Sequence, residues 1–238
     1  MQARQVGVSP EEIARFDALA AQWWDPAGPM RPLHAMNRLR VDWVLSRVRQ
    51  RFSGPVRILD VGCGAGLAAE AFARAGHDVL GLDAAAEALE AGRTHAEGQG
   101  LALRYREGLA EDLLAEGARF PVITALEVIE HVPDPNAFLG VLAGLLEPEG
   151  LLFLSTLNRT PRSFVTAKLG AEYVLRWLPV GTHDWRKFMT PTEMGQGLRA
   201  AGLRVGDITG MVVDPCTGRW RASRDLAVNY LLMAQAGG

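Results

Sequence analysis

The sequence predicts an α/β fold, a parallel sheet with helices on both faces. Three observations carry this. From residue 56 onward, short apolar runs alternate with helical patterns, the order that gives parallel strands joined by crossover helices. The first apolar run, Ile58-Leu59-Asp60-Val61, ends in a Gly62-x-Gly64-x-Gly66 turn that leads into an Ala-rich helical pattern. An aspartate, Asp83, closes the next apolar run 21 residues beyond Gly62.

The elements follow in order. Ser9-Pro10 supplies a helix cap and a first-turn proline, and Ile13, Phe16, Ala20 and Trp23 fall at helical spacing, predicting a helix over 11–24. The Pro- and Gly-rich stretch 25–32 ends it, and a second helix is expected over 34–51. Strands are expected at 56–61, 78–82, 101–105, 122–126 and 151–155, with helices at 67–75, 84–97 and 136–146. Residues 158–190 break the rhythm and contain a helical pattern over 161–178. A helix over 191–201 and strands over 203–213 and 225–233 close the chain. This gives one domain over 1–238, with an N-terminal helical extension (1–54) and a lid or membrane-contact insertion (157–190) after the fifth strand.

Composition narrows the function classes. The chain has 238 residues, 48% of them apolar, and a formal net charge of −2, so no global basic field points to nucleic acid. Two cysteines, Cys63 and Cys216, cannot build a disulfide framework and form no CxxC pair, which fits a reducing compartment. The longest uncharged stretch, 226–238, is too short to cross a bilayer, and acidic residues at 11, 12 and 17 exclude an apolar signal core. A cytoplasmic location is expected.

The glycine turn marks a ligand loop. Glycines at 62, 64 and 66 allow a tight bend and close backbone approach, and the following helix offers its positive end to an anion. Asp83 is placed to accept hydrogen bonds from two ribose hydroxyls. The spacing is tighter than the dinucleotide G-x-G-x-x-G pattern, and the carboxylate of Asp60 would repel a pyrophosphate. It suits the ammonium and sulfonium of S-adenosylmethionine. A nicotinamide enzyme is the alternative this spacing disfavours.

Further motifs sharpen the reading. The blocks Phe16 with Trp23-Trp24-Asp25, Glu127-Val128-Ile129-Glu130-His131-Val132-Pro133-Asp134-Pro135, Ser155-Thr156-Leu157-Asn158-Arg159, Gly170-Ala171-Glu172-Tyr173 and Gly181-Thr182-His183-Asp184 resemble the ubiquinone-biosynthesis O-methyltransferase family, within the Rossmann-like class I methyltransferases. The resemblance runs from about residue 11 to 235. It implies methylation of phenolic oxygens on polyprenylated rings, at an early step on a polyprenyl-hydroxyphenol and at a last step on demethylubiquinol. It also implies that Arg40, Gly62, Asp83 and Leu126 contact the cofactor, with Arg40 pairing with its carboxylate. Pro121 departs from the pattern, standing where many relatives carry an aspartate.

A free phenol has a pKa of about 10, so the nucleophile needs activation. The resemblance implies that Glu127, Glu130 and His131 bind magnesium, and spacings of three and four would put them on one face of a helical turn. Without a metal, His131 is the candidate general base and His183 a second one. The basic, amphipathic pattern over 161–178 suits a peripheral contact with the inner face of the cytoplasmic membrane, from which a substrate with a long apolar tail is collected. A ubiquinone-biosynthesis complex is a further expected partner. The competing readings are another small-molecule methyltransferase and a membrane-associated scaffold.

Overall fold

The computed structural model describes residues 8–166, 185–214 and 216–236. Eight strands form one sheet in the order β3-β2-β1-β4-β5-β8-β6-β7. They are β1 (Arg57–Val61), β2 (Asp78–Asp83), β3 (Leu103–Glu107), β4 (Phe120–Leu126), β5 (Leu146–Leu157), β6 (Leu203–Val213), β7 (Trp220–Ser223) and β8 (Asn229–Ala236). The first five run parallel, while β8 pairs antiparallel with β5 and β6, and β7 with β6. The chain reverses its winding between β1 and β4, which opens a crevice at the carboxyl ends of those two strands.

Alternation along the strands builds two cores. Ile58, Val79, Val122, Leu151 and Phe153 face α2 (Arg31–Arg51) and α3 (Leu67–Arg74), against Val41, Val44, Val48, Ala69 and Phe72. Trp43 of α2 meets Phe153 edge-on, with ring centroids 5.8 Å apart. Leu59, Val61, Ile123, Leu152 and Leu154 face the other way, onto α5 (Ala110–Ala115), α6 (Pro135–Leu145) and α8 (Pro191–Ala200). A third cluster joins Trp23 and Met30 of the N-terminal extension to Ala65 and Leu67 beside the glycine turn, and to Ala85 and Ala88 near the start of α4 (Ala86–Ala96).

The elements depart from expectation in physically readable ways. The first helix, α1 (Pro10–Asp17), stops seven residues short of the expected Trp24 (24 − 17). A 3-10 turn, Ala20–Gln22, then carries Trp23 into the third cluster, so tertiary burial overrides the helical period. α2 starts at Arg31 with Pro32 in its first turn, where a missing N–H is harmless. The six-residue α5 and the polar edge strand β7 were not expected; neither carries a readable apolar period. The last strand begins at Asn229 rather than 225, because the Asp225 carboxylate accepts from Ala227 N–H at 3.0 Å and fixes a turn there. Pro121 lies within β4 where its pairing with β5 shifts register between Phe120 and Val122. That irregularity spares a proline the ladder hydrogen bond it cannot donate. Of the helix expected over 161–178, residues 161–166 are described and are helical, opening with the turn α7 (Pro161–Ser163), capped by Thr160. Residues 167–184, with His183, lie outside the described residues.

Candidate active site

The glycine turn sits in the crevice between β1 and β4, with left-handed backbone at Gly62 (φ 67°), Gly64 (φ 53°) and Gly66 (φ 89°). A side chain at Gly62 would come within 2.5 Å of Val128 Cγ2, and one at Gly64 within 2.1 Å of the Trp23 indole. Gly66 answers a different need: a Cβ there would fall 1.9 Å from the Tyr105 hydroxyl, and the residue caps α3 away from the cleft. The loop N–H groups expected to face a ligand are engaged within the protein. Those of Gly62 and Cys63 donate to Leu82 O, that of Gly66 donates to Cys63 O, and that of Gly64 donates to Asp83 Oδ2 at 2.7 Å. The loop therefore lines the crevice with side-chain-free backbone, flanked by Trp23 and Val128, rather than with a ring of donors.

Asp83 ends β2 across from this loop. Its Oδ1 accepts from Ala85 N–H at 2.9 Å, so both carboxylate oxygens are oriented by backbone. Burial pushes its pKa up, against the lowering effect of those hydrogen bonds. Leu126, the last residue of β4, is buried and lines the same cleft.

Behind the loop lies a buried charged cluster on the α2 face. Arg40 is 3% exposed; its Nη2 donates to Asn37 Oδ1 at 3.2 Å, and its Nε has no partner. Burial lowers its pKa, while the charges of Glu127 and Asp60 oppose that. Asp60 accepts from Thr124 Oγ1 at 2.6 Å, and burial pushes its carboxyl up to about 6. Burial likewise lifts the Cys63 thiol well above its ordinary range, so it is held as a neutral thiol. An unsatisfied buried guanidinium nitrogen, a glycine surface and a backbone-oriented carboxylate together fit S-adenosylmethionine: its carboxylate, its body and its ribose, respectively.

The acid–histidine segment is not the expected helical face. Glu127 has left-handed backbone (φ 59°), and the 3-10 turn that follows covers only Ile129–His131. Glu127 N–H donates to Ser155 O and Oγ, and its Oε1 accepts from Ser155 Oγ at 2.6 Å. Glu130 accepts from Thr156 Oγ1 at 2.9 Å, and its other oxygen is buried and unpartnered. Ser155 and Thr156 are consecutive on β5, so their side chains point to opposite faces and draw the two carboxylates apart. His131 turns to a third partner, Glu12, at 3.2 Å from Nδ1. Among the described residues no three His, Cys, Asp or Glu side chains are grouped to hold a metal ion. The trio as placed does not fit magnesium.

His131 lines the cleft together with Phe16, Trp23, Asp83 and Glu127. Burial lowers its pKa, but the hydrogen bond it donates to Glu12 and the charges of Glu130 and Glu12 outweigh that and leave it raised. Burial, then the charge of Glu127, pushes Glu130 up. A second cavity, lined by Glu130, Arg159, Lys187, Phe188 and Met189 among others, shares its His131–Val132 wall with the first. The structure thus places Gly62, Gly64, Asp83, Leu126, Glu127 and His131 on one cleft, sets Arg40 and Asp60 behind it, and puts Gly66 in the packing of α3. Sequence reasoning missed Glu12 and Thr124, and it marked Ser155 and Thr156 as part of a family block without giving either a role. Thr124 sits inside a strand pattern and Glu12 on a remote helix, so no local spacing marked them.

Residues 33–207 match the family model of a methyltransferase domain. The chain is 48% identical over 234 residues to a ubiquinone biosynthesis O-methyltransferase of Cereibacter sphaeroides, covering 94% of this chain and 95% of that protein. It is 46% identical over 237 residues to the protein of the same name from Azorhizobium caulinodans, covering 96% and 94%. A solved structure of magnesium protoporphyrin IX methyltransferase from Synechocystis PCC 6803 with bound SAH shares the fold. Its TM-score is 0.66 at 18% identity, covering 95% of this chain and 100% of that one.

Proposed function

The chain belongs to the ubiquinone biosynthesis O-methyltransferase family, and from that premise we propose that it methylates phenolic hydroxyls on polyprenylated catechols or quinols at the β1–β4 crevice. The observation that carries the placement is Asp83 lying across the cleft from the Gly62–Gly64 backbone and accepting from Gly64 N–H, with Arg40 buried behind. S-adenosylmethionine, when bound, supplies an electrophilic methyl group on a sulfonium.

The residues of the chain divide the remaining work. Asp83 accepts from the ribose hydroxyls, the backbone of Gly62 and Gly64 lines the cleft while the missing side chains let Val128 and Trp23 pack against the loop, and Leu126 gives apolar contact. Arg40 pairs with the donor carboxylate through a guanidinium fork. Asp60 and Glu127 surround that region with negative charge, which suits an ammonium and a sulfonium. His131 stands in the wall between the two cavities and takes the phenolic proton. Its raised pKa makes it a somewhat stronger base than free imidazole. Trp23, Phe16 and Ile13 cover the cleft from the N-terminal side and exclude water, so much of the remaining acceleration is approach and orientation.

The test is transfer of labelled methyl from S-adenosylmethionine to a prenylated catechol. The expected product carries the label on a ring oxygen, and unprenylated or non-phenolic acceptors turn over poorly. Efficient methylation of a different small molecule with no transfer to the catechol would move the chain to another methyltransferase activity.

Contact with a lipid surface is supported by the start of the insertion. Phe164 and Val165 are 37% and 56% exposed there, beside Arg162 and a few residues from Arg159. Among the described residues no helix is long and apolar enough to cross a membrane. A peripheral contact at 161–178, on the inner face of the cytoplasmic membrane, would bring the cleft to a lipid-dissolved substrate.

A further inference from the structure

The end of the sheet that carries the crevice also carries a basic, partly apolar surface that methyl transfer does not use. β5 ends at Leu157, opposite Asn229 at the start of β8. β6 outruns both: Gly210 pairs with Tyr230, and among the described strands Met211, Val212 and Val213 pair with β7 alone. The β6–β7 hairpin therefore projects past the carboxyl ends of the parallel strands. Met211 and Trp220 anchor its base in the core beneath α2. The connection from β7 to β8 lies against β6 at Gly210, where a Cβ would fall 1.8 Å from Asp225 O. The start of the insertion is tied to that connection. Asn158 Nδ2 donates to Leu226 O at 2.8 Å, Thr160 Oγ1 to Ala227 O at 2.6 Å, and Arg162 Nη1 to Asp225 Oδ2 at 2.6 Å. Hairpin, connection and insertion start are thus locked into one surface.

The side chains of this surface point to a partner. Among the described residues the exposed large apolar side chains are Phe164, Val165 and Val213, and all of them stand here. Arg219, Arg221 and Arg224 line the hairpin and its exit, exposed and with no ion pair or side-chain hydrogen bond among the described residues. The neighbouring carboxylates offset them little: Asp225 is engaged by Arg162, and Asp214 accepts from the N–H groups of Cys216 and Thr217. A nucleic acid would take the cations but leave the apolar groups in water. An anionic bilayer takes both, the guanidinium groups among its headgroups and the apolar side chains at the acyl boundary. We propose that the β6–β7 hairpin is a second lipid-contact element, which binds an anionic bilayer through Arg219, Arg221, Arg224 and Val213 beside the start of the insertion. This rests on the reading of a lipid contact at 161–178 and extends it. Two linked contacts bind far more tightly than either alone and fix the orientation of the molecule. The carboxyl end of the sheet, with its crevice, then faces the bilayer that dissolves a polyprenylated acceptor.

Cys216 of the hairpin is exposed and Cys63 is buried, so a thiol-reactive fluorophore on the full chain marks this element. Vesicles of phosphatidylglycerol and phosphatidylcholine, some headgroups carrying a quencher, are added to the labelled protein, and affinity is read by co-sedimentation of the unlabelled one. Wild type is expected to bind these vesicles with the Cys216 probe quenched, and to bind pure phosphatidylcholine poorly. Each arginine near an anionic surface contributes roughly fivefold to partitioning. The combined Arg219→Gln, Arg221→Gln, Arg224→Gln variant is therefore expected to lose about 10- to 100-fold in affinity, with unchanged melting temperature and unchanged uptake of S-adenosylhomocysteine. Val165→Glu weakens binding from the other element, and its remaining bound fraction still shows a quenched probe. Vesicle-bound wild type with an unquenched probe, or full affinity in the triple variant beside a weakened Val165→Glu, would overturn the hairpin contact and leave the insertion contact standing. No binding of wild type to anionic vesicles would overturn both, and capture of duplex DNA in their place would assign the arginines to a polyanion instead.

Discussion

Asp60 is 2% exposed, hydrogen-bonded to Thr124 and close enough to Arg40 to feel its charge, yet its carboxyl is pushed up to about 6 because burial is the larger effect. The consequence for stability has a definite sign. Unfolded, the same carboxyl titrates near 3.8, so between about pH 4 and 6 the native state holds more protons than the unfolded one. Stability from this residue therefore falls as pH rises through that window. Asp60→Asn removes the titration. The wild-type melting temperature minus that of the variant is expected to drop from pH 4 to pH 6.5, and a constant difference across thermal melts would contradict the burial argument. At this scale, residues whose signal is local were legible: the glycine spacing and Asp83 at the next strand's end both led to the crevice. Gly66 shows the limit. It shares the motif but answers to Tyr105, a contact made across the fold from β3. The acid–histidine trio shows another, since its expected helical face depended on a backbone that Glu127, at φ 59°, does not adopt.

Secondary elements explain why the site has two walls. Parallel β1, β2 and β4 form the proposed donor side, and their order follows from strand–helix alternation that the sequence displays openly. The proposed acceptor side is assembled from segments distant in sequence: α1, the 3-10 turn Ile129–His131, and the ends of the insertion. No periodicity reports such a meeting, which is why the helix over 11–24 was legible as a helix but not as part of the site. Its break after Asp17 is driven by the burial of Trp23 over Gly64, a long-range cause. The start of the insertion carries its own prediction. Val165 is 56% exposed, so Val165→Glu leaves the fold intact while placing a charge on the proposed lipid-facing surface. Co-sedimentation with anionic liposomes is expected to fall several-fold in this variant with an unchanged melting temperature. Equal binding by both proteins would remove 161–178 from the membrane contact.

At the scale of the whole molecule, the proposed donor seat is built by the sheet and the proposed acceptor wall by the extension and insertion. Both meet at His131. The sheet order places the winding reversal between β1 and β4, and every residue proposed to hold the donor stands at or behind that reversal. Family membership says what class of reaction occurs; the crevice is its proposed place. Its keystone is Asp83, whose two oxygens are aimed by Gly64 and Ala85 N–H groups. Calorimetric titration of the full chain with S-adenosylhomocysteine, beside Asp83→Ala, tests this most directly. Hydrogen bonds to a charged group are worth about 1.5–3 kcal/mol each. Saturable uptake by the wild type is predicted, with affinity roughly 10- to 100-fold weaker in the variant. No uptake by folded wild-type protein, or equal affinity in the two, would contradict a donor seated between the glycine turn and Asp83.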